Sequence, residues 1–224
     1  MPELSPSTST AATRILTESL YLPPITHVAQ LLRYDEIQIE QYSHYQKASY
    51  RNRAHIGTSH GALLLSIPLA KGKNGHQAMR DVRISYNWDW QKLHWQSLYT
   101  AYRSSPYFEY YEADFYPYYQ RRYEFLLDFN RALFDVVLGL LRHRAIINTT
   151  DRYIDHYDTV QLFDARPQSK AKDHRPIDIG TENEEMPYRQ VFADRIGFVP
   201  DLSIVDLLFN MGNKTAAYLS VLSV

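Results

Sequence analysis

Apolar and polar residues follow distinct periods in the first part of the chain. The segment Glu36–Glu40 alternates between polar and apolar residues, which is typical of a strand with one buried face. Residues 25–34 instead carry apolar side chains three and four positions apart, a spacing that predicts a helix. An earlier strand is predicted over residues 14–21, and Pro23 and Pro24 are expected to end it. The pattern therefore begins as strand, helix, strand.

Later segments add further strands and longer helices. The continuous apolar run at residues 62–69 predicts a strand buried on both faces, and residues 118–143 carry the apolar stripe of a helix. Ser203 and Asp206 have the spacing of a capping box, so Asp206 is interpreted as a cap, with Gly212 ending the helix. These elements predict an α/β protein with a single domain, in which helices flank a mixed, mostly parallel central sheet.

Two segments lack this periodicity. Residues 1–13 are rich in Ser, Thr and Pro and have no basic region followed by an apolar one, so a disordered tail is expected instead of a signal peptide. A cytoplasmic location follows as an expectation. Residues 149–187 are polar and are predicted to form a long surface insertion within the domain of residues 14–224.

Composition narrows the classes of function. The formal net charge of −1 argues against a nucleic-acid partner. The absence of cysteine excludes thiolate nucleophiles, and the scattered histidines give no metal-ligand spacing, so neither a metal nor another cofactor is expected. No apolar run approaches the roughly 20 residues of a membrane span. The chain has 19 tyrosines, which are most crowded between Tyr99 and Tyr123, where they suit either core edges or stacking on a sugar or base.

A cluster of cations at residues 47–56 is the main candidate for chemistry. If this segment is extended, one face carries Lys47, Ser49, Arg51, Arg53 and His55. These cations repel each other unless they are solvated or an anion lies among them. The pattern thus fits either a phosphate or carboxylate site, for which the two guanidinium groups are suited, or a solvated edge strand. Asn52 points the opposite way and is expected to hold a turn.

His94 is the candidate general base. It lies early in a predicted helix, beside Trp90 and Trp95, where the helix dipole disfavours the imidazolium form. A neutral histidine can accept a proton near pH 7. The alternative is a buried histidine that is hydrogen-bonded and packs on the aromatic rings.

Several short motifs, in order, resemble one family. They are Tyr21-Leu22-Pro23-Pro24, Tyr50-Arg51-Asn52-Arg53, Leu65-Ser66-Ile67-Pro68, Ala101-Tyr102-Arg103-Ser104-Ser105-Pro106 and the stretch from Phe198 to Gly212. This series resembles the WbqC-like protein family, in the branch seen in Bacteroidetes. Where many relatives have Gln-Pro before Tyr-Leu-Pro, this chain has Glu18-Ser19-Leu20. The resemblance implies a part in O-antigen synthesis, as a glycine transferase.

Pattern and resemblance together give a functional hypothesis. Lys47, Arg51, Asn52 and Arg53 would bind an anionic donor, and His94 would take the proton from an accepting amine or hydroxyl group. The expected partner is a small anionic or sugar substrate beyond the carboxyl ends of the strands. The rival hypothesis is a non-catalytic protein that binds anions or nucleotide sugars.

Overall fold

The computed structural model describes residues 13–70, 77–156, 162–169 and 187–222. Its strands are β1 (Arg14–Glu18), β2 (Glu36–Glu40), β3 (Arg53–Thr58), β4 (Gly61–Ser66), β5 (Ile146–Thr149) and β6 (Leu162–Asp164). Its helices are α1 (Ile25–Leu31), α2 (Trp90–Tyr102), α3 (Phe108–Gln120), α4 (Leu126–Leu140), α5 (Ala193–Ile196), α6 (Ile204–Met211) and α7 (Thr215–Val221). The described helices are each too short or too polar to cross a bilayer.

One sheet is parallel and has the strand order β5-β2-β1-β6. Its register places Glu18 beside Glu40, and Leu16 beside Asp164. Because all four strands run the same way, their carboxyl ends meet at one edge. The predicted α/β class with a single domain is confirmed, and this sheet is fully parallel.

Helices α1 and α4 cover one face of this sheet. Ile15 and Ile37 lie side by side in the register and pack in one cluster with Leu31 of α1 and with Phe134 and Leu138 of α4. All five side chains are buried. Each such side chain contributes about 2 kcal/mol when it leaves water, so this layer anchors the sheet and fixes where its edge lies.

Strands β3 and β4 form a separate antiparallel hairpin. Ala54 and Ile56 point into the larger core, which α2 and α6 complete. The prediction of a strand buried on both faces at residues 62–69 was wrong, because Leu63 and Leu64 are each 40% exposed. Neighbouring strand residues point to opposite faces, so both faces of β4 are partly exposed near its turn, whereas Leu65 is buried.

The predicted extended ladder of cations was also wrong. Residues 47–52 form turns, and the strand begins only at Arg53. Ala48 has a φ of 56°, which no strand residue adopts, and the Ser49 hydroxyl donates to the Gln46 carbonyl over 2.7 Å. These local bonds fold the segment back on itself, so Lys47, Arg51 and Arg53 do not share a strand face.

The helix predicted over residues 118–143 is two helices. α3 ends at Gln120, and the backbone before α4 pairs with residues 82–84 instead. The Leu126 N–H donates to the Val82 carbonyl over 2.9 Å, and the Ile84 N–H donates to the Glu124 carbonyl over 3.0 Å. An extended pairing of this kind interrupts the helical hydrogen bonds, although the apolar stripe continues through the break.

The polar segment 149–187 contains a strand of the sheet. β6 pairs with β1, and Leu162 and Ala165 are buried, so the interpretation of the whole stretch as surface insertion was wrong. Residues 157–161 and 170–186 lie outside the described residues, as do residues 1–12 of the predicted tail. The tail, and an insertion in the remaining parts of residues 149–187, stay predictions.

Candidate functional site

A cleft of about 760 Å³ opens at the carboxyl edge of the parallel sheet. We call it the sheet-edge cleft. Its lining is polar and partly aromatic. It comes from β1, β6 and the segments that follow β2, β5 and β6: Glu18, Tyr42, Ser43, His44, Tyr45, Gln46, Arg51, Tyr153, Asp164, Arg166 and Pro167. Open parallel sheets present ligand sites at this position, because loops from several strands converge there.

Glu18 and Arg51 form a buried ion pair in this cleft. The Arg51 Nη2 lies 2.6 Å from Glu18 Oε1, and the two side chains are 1% and 4% exposed. The Ser43 hydroxyl donates to Glu18 Oε2 over 2.9 Å, and Arg51 Nη1 donates to the His44 carbonyl over 2.7 Å. Arg51 Nε has no hydrogen-bond partner among the described residues. The bonds hold both charged groups in fixed positions.

Burial raises the pKa of the Glu18 carboxyl above its usual value of 4.5. The Arg51 charge and the hydrogen bonds from Arg51 and Ser43 oppose this shift, and the neighbouring Glu40 charge adds to it. Desolvation thus outweighs the ion pair. A carboxylate whose pKa is raised in this way is a better proton acceptor than an exposed glutamate.

A second cluster of charged residues, around Arg166, also lines the cleft. Arg166 donates from Nε and Nη2 to the two Asp164 oxygens over 2.9 and 2.8 Å, a bidentate arrangement. Its Nη1 lies 3.6 Å from Glu40 Oε2, and its guanidinium carbon lies 5.4 Å from the centre of the Tyr153 ring. Arg166 therefore ties the end of β6 to the end of β2. Among the described residues, no three His, Asp or Glu side chains converge as a metal site.

The structure brings three of the predicted binding residues close to one tyrosine. The buried Tyr45 hydroxyl donates to Asn52 Oδ1 over 2.8 Å, and the charges of both Arg53 and Arg51 counter part of the rise that burial causes in the Tyr45 pKa. Asn52 also donates to the Ile67 carbonyl, which joins the chain before β3 to the chain after β4. Lys47 is exposed and lies next to Gln46 of the cleft.

The two arginines differ in their partners. Arg51 is committed to Glu18, whereas Arg53 forms no ion pair or hydrogen bond with the described residues. Arg53 is half-buried and its Nε is shielded from solvent without a partner. An unpaired guanidinium with a desolvated nitrogen is costly, so an external anion would relieve it. The binding roles of both residues stay predictions.

His94 lies inside the core, away from the sheet-edge cleft. It is 2% exposed, its Nδ1 lies 3.0 Å from the Tyr21 hydroxyl, and the Ser66 backbone provides a second hydrogen bond. Burial lowers the pKa of His94 from 6.5 to about 4. The imidazole is thus neutral near pH 7, as expected. Its surroundings match the alternative interpretation, in which His94 is a buried, hydrogen-bonded histidine. Its role as a general base stays a prediction.

Asp206 does not cap its helix. The Ser203 hydroxyl accepts the N-terminal bond of α6, from the Val205 N–H. The Asp206 carboxylate instead accepts hydrogen bonds from the hydroxyls of Tyr102, over 2.7 Å, and Tyr188. Burial raises the pKa of Asp206 to about 6. The spacing to Ser203 was right for a helix start, but Asp206 joins α6 to α2 and to the segment around Tyr188.

Of the residues that line the cleft, sequence reasoning selected only Arg51 and missed, among others, Glu18, Ser43, Asp164 and Arg166. One of them carried a signal that could have been used, because Glu18 lies near the end of the predicted first strand and strand ends are common ligand positions. Asp164 ends a strand of three residues, which is too short for a visible alternation, and Arg166 follows that strand. Ser43 lies in a turn whose course depends on tertiary contacts.

Comparison with known proteins gives the family and one relative. The chain is 27% identical over 217 residues to the uncharacterized protein Rv1507c of Mycobacterium tuberculosis, covering 89% of this chain and 91% of that protein. No solved structure matches the chain significantly. The model of the WbqC-like protein family matches residues 18–175, which include the β1, β2 and β6 ends that form the cleft. The chain therefore belongs to the WbqC-like protein family.

Proposed function

We propose that the protein is a group transferase of surface polysaccharide synthesis, and that the sheet-edge cleft binds its substrates. More specifically, the transferred group is an aminoacyl group, glycine, and the pathway is O-antigen synthesis. The reaction would take place in the cytoplasm, in a member of the Bacteroidetes-type branch. Membership of the WbqC-like family supports the sugar context, and the place of the cleft in the fold supports a small-molecule substrate.

One observation carries the proposal: a buried, fixed carboxylate lines an open cleft at the carboxyl edge of the sheet. Glu18 is held by Arg51 and Ser43, so it needs little reorganisation when a substrate binds. Its raised pKa suits it to accept a proton from an amine or hydroxyl group. His94 does not line the cleft, whereas Glu18 does.

The anionic donor would bind at the margin of the cleft. Arg53 supplies a guanidinium that has no hydrogen-bond or ion-pair partner within the described part of the chain, and the exposed Lys47 adds a second positive charge. Tyr45 connects the cleft with Arg53. It lines the cleft, and the Arg53 charge opposes the rise that burial causes in the Tyr45 pKa. A phosphate or carboxylate there would neutralise charge that the described residues leave uncompensated.

The transfer step is a substitution at the acyl carbon of the donor. The nitrogen or oxygen of the acceptor forms the new bond to this carbon, and Glu18 takes the proton that the acceptor loses. The bond to the leaving group breaks, and the leaving group departs with its electron pair and gains a proton from solvent. Holding donor and acceptor together supplies most of the catalytic effect in this scheme.

Binding is tested by thermal stability with three probes: a nucleotide sugar such as UDP-N-acetylglucosamine, a glycyl thioester of pantetheine, and pyrophosphate. A ligand at 100 times its Kd stabilises the folded protein by about 2.7 kcal/mol, which raises Tm by about 5–10 °C. We expect Arg53→Gln to weaken the effective probe at least about tenfold, as for a charged hydrogen bond. Arg144→Gln is the matched control, because Arg144 precedes β5 and lies at the opposite sheet edge. Failure of all three probes would overturn the proposal.

The alternative is a non-catalytic protein that binds nucleotide sugars or other anions. It is favoured by one observation, namely that both Glu18 oxygens already accept hydrogen bonds, as in a purely structural network. Transfer of labelled glycine from the thioester to an amino sugar separates the two. The transferase proposal expects transfer that Glu18→Gln abolishes while the thermal shift remains, and a shift without transfer in the wild type supports the alternative.

A further inference from the structure

A second concave site lies between α2 and α3, and we call it the aromatic groove. It encloses about 470 Å³ and is lined by Trp95, Gln96, Tyr99, Thr100, Glu112 and Tyr116. None of these residues lines the sheet-edge cleft, so the groove is a separate site. Its inner part is formed by Trp95, which is only 8% exposed.

We propose that the aromatic groove binds a carbohydrate that is either neutral or carries an amino group. The aromatic rings provide the first argument. Tyr99 of α2 and Tyr116 of α3 are 41% and 42% exposed, and the Tyr116 ring centre lies 5.0 Å from that of Trp95. The two tyrosine rings are therefore partly exposed to solvent, one on the α2 side and one on the α3 side of a concave surface. The C–H face of a sugar ring can displace water from them.

The polar side chains of the groove provide the second argument. Gln96 and Thr100 offer uncharged donors and acceptors, and Glu112 offers carboxylate acceptors, which together match the closely spaced hydroxyl groups of a sugar. A proline-rich peptide would also stack on the rings, but it has few N–H donors for the Glu112 carboxylate. The mixture of rings and small polar groups therefore favours a saccharide.

Charge sets the class of saccharide. The groove lining contains no Lys or Arg, and α3 adds the exposed Glu109 and Asp114 to Glu112. This acidic helix disfavours phosphates, nucleic acids and acidic sugars by repulsion. A neutral sugar experiences no such penalty, and a protonated amino sugar would gain an ion pair with Glu112.

The test is calorimetric titration of the full chain with two probes, maltotriose and the trimer of glucosamine. We expect saturable binding of at least one probe, accompanied by a change in tryptophan fluorescence from Trp95. Tyr99→Ala and Tyr116→Ala should each weaken this binding at least about fivefold, as for an aromatic residue central to an interface. Glu112→Gln should weaken the glucosamine trimer more than maltotriose.

Tyr110→Ala is the matched control, because Tyr110 is on α3, is 76% exposed and does not line the groove. Its affinity for either probe should equal that of the wild type. The groove shares no lining residue with the sheet-edge cleft, so failure of the transferase proposal would leave this one intact. The inference is overturned if neither probe binds up to its solubility limit, if the two tyrosine variants bind normally, or if a proline-rich peptide binds in place of sugar.

Discussion

At the scale of single residues, removal of the Arg51 side chain leaves the buried Glu18 carboxylate without its counter-ion. Breaking a buried pair from one side costs about 3–5 kcal/mol, because the remaining charge is desolvated and unpaired. We therefore expect Arg51→Met to lower the free energy of unfolding at pH 7 by about that amount. Urea denaturation followed by circular dichroism measures the change.

Arg131→Met is the control for Arg51→Met. Arg131 Nε lies 2.8 Å from Asp135 Oδ1, but these side chains are 32% and 50% exposed, so the loss should stay below about 1 kcal/mol. The double variant Glu18→Gln/Arg51→Met should recover part of the single-variant loss, because no charge is left unpaired. Equal losses in Arg51→Met and Arg131→Met would contradict the prediction.

His94 gives a residue-scale prediction for pH. Burial lowers its pKa to about 4, whereas the unfolded chain titrates near 6.5. The folded state thus binds fewer protons than the unfolded state between pH 4 and 6.5, so stability from a neutral His94 is present above pH 6.5 and is lost as the pH falls through this window. At about 1.4 kcal/mol per pH unit, the loss approaches about 3 kcal/mol.

The measurement compares the wild type with His94→Gln at a series of pH values. The wild type's advantage over the variant should shrink by up to about 3 kcal/mol from pH 7 to pH 4, since glutamine does not titrate. Other titrating groups are common to both proteins and cancel in the difference. An advantage that stays constant with pH would show that His94 is not enclosed as described.

At the scale of elements, Asp206 joins α6 to its neighbours. Tyr102 of α2 and Tyr188 both donate to its carboxylate, and the Tyr102 hydroxyl accepts the Gly57 N–H of β3 over 3.0 Å. The folded pKa of about 6 exceeds the ordinary 3.8, so the proton stays on the folded protein between about pH 4 and 6. Stability from the protonated carboxyl is therefore present below pH 4 and lost as the pH rises through 6.

Asp206→Asn tests this junction with a side chain that cannot ionise. The wild type's stability relative to the variant should fall by about 3 kcal/mol from pH 4 to pH 7, the opposite direction to the His94 comparison. Thermal unfolding at each pH gives the difference. The interpretation fails if the variant loses the same stability throughout this range.

Local pattern predicted some elements well and others poorly, for physical reasons. β2 and α6 followed their sequence signals, because Ile37 and Ile39 alternate and Gly212, with a φ of 58°, ends the helix. The cationic segment failed because Ala48 adopts a left-handed conformation and Arg51 turns inward to Glu18, and neither shows in an alternating pattern. A local hydrogen-bonded turn and an ion pair with the distant Glu18 decided the outcome at these positions.

At the scale of the whole molecule, the cleft depends on strands that are far apart in the chain. The sequence indicated a ligand site beyond strand carboxyl ends, and a cleft does open there. The sequence did not indicate that Glu18 and Asp164, which are 146 residues apart, line one cavity. The reason is that β6 is recognisable only through its pairing with β1. Arg51 was selected for its charge, but its partner could be identified only in the folded chain.

The same topology predicts unequal mobility around the cleft. β1 is paired on both sides, by β2 and β6, and its residues Ile15 and Leu16 are fully buried. β6 has three residues and pairs on one side only among the described strands. Hydrogen exchange should therefore proceed by global unfolding in β1 and by local opening in β6, so that β6 exchanges at least about 100-fold faster than β1.

A ligand in the cleft should change this mobility. Because Asp164 and Arg166 lie at the end of β6, the ligand should slow exchange in β6, while exchange in β5, whose Ile146 is 63% exposed, stays unchanged. Equal protection of β1 and β6 in the free protein would mean that the cleft is rigid on both sides.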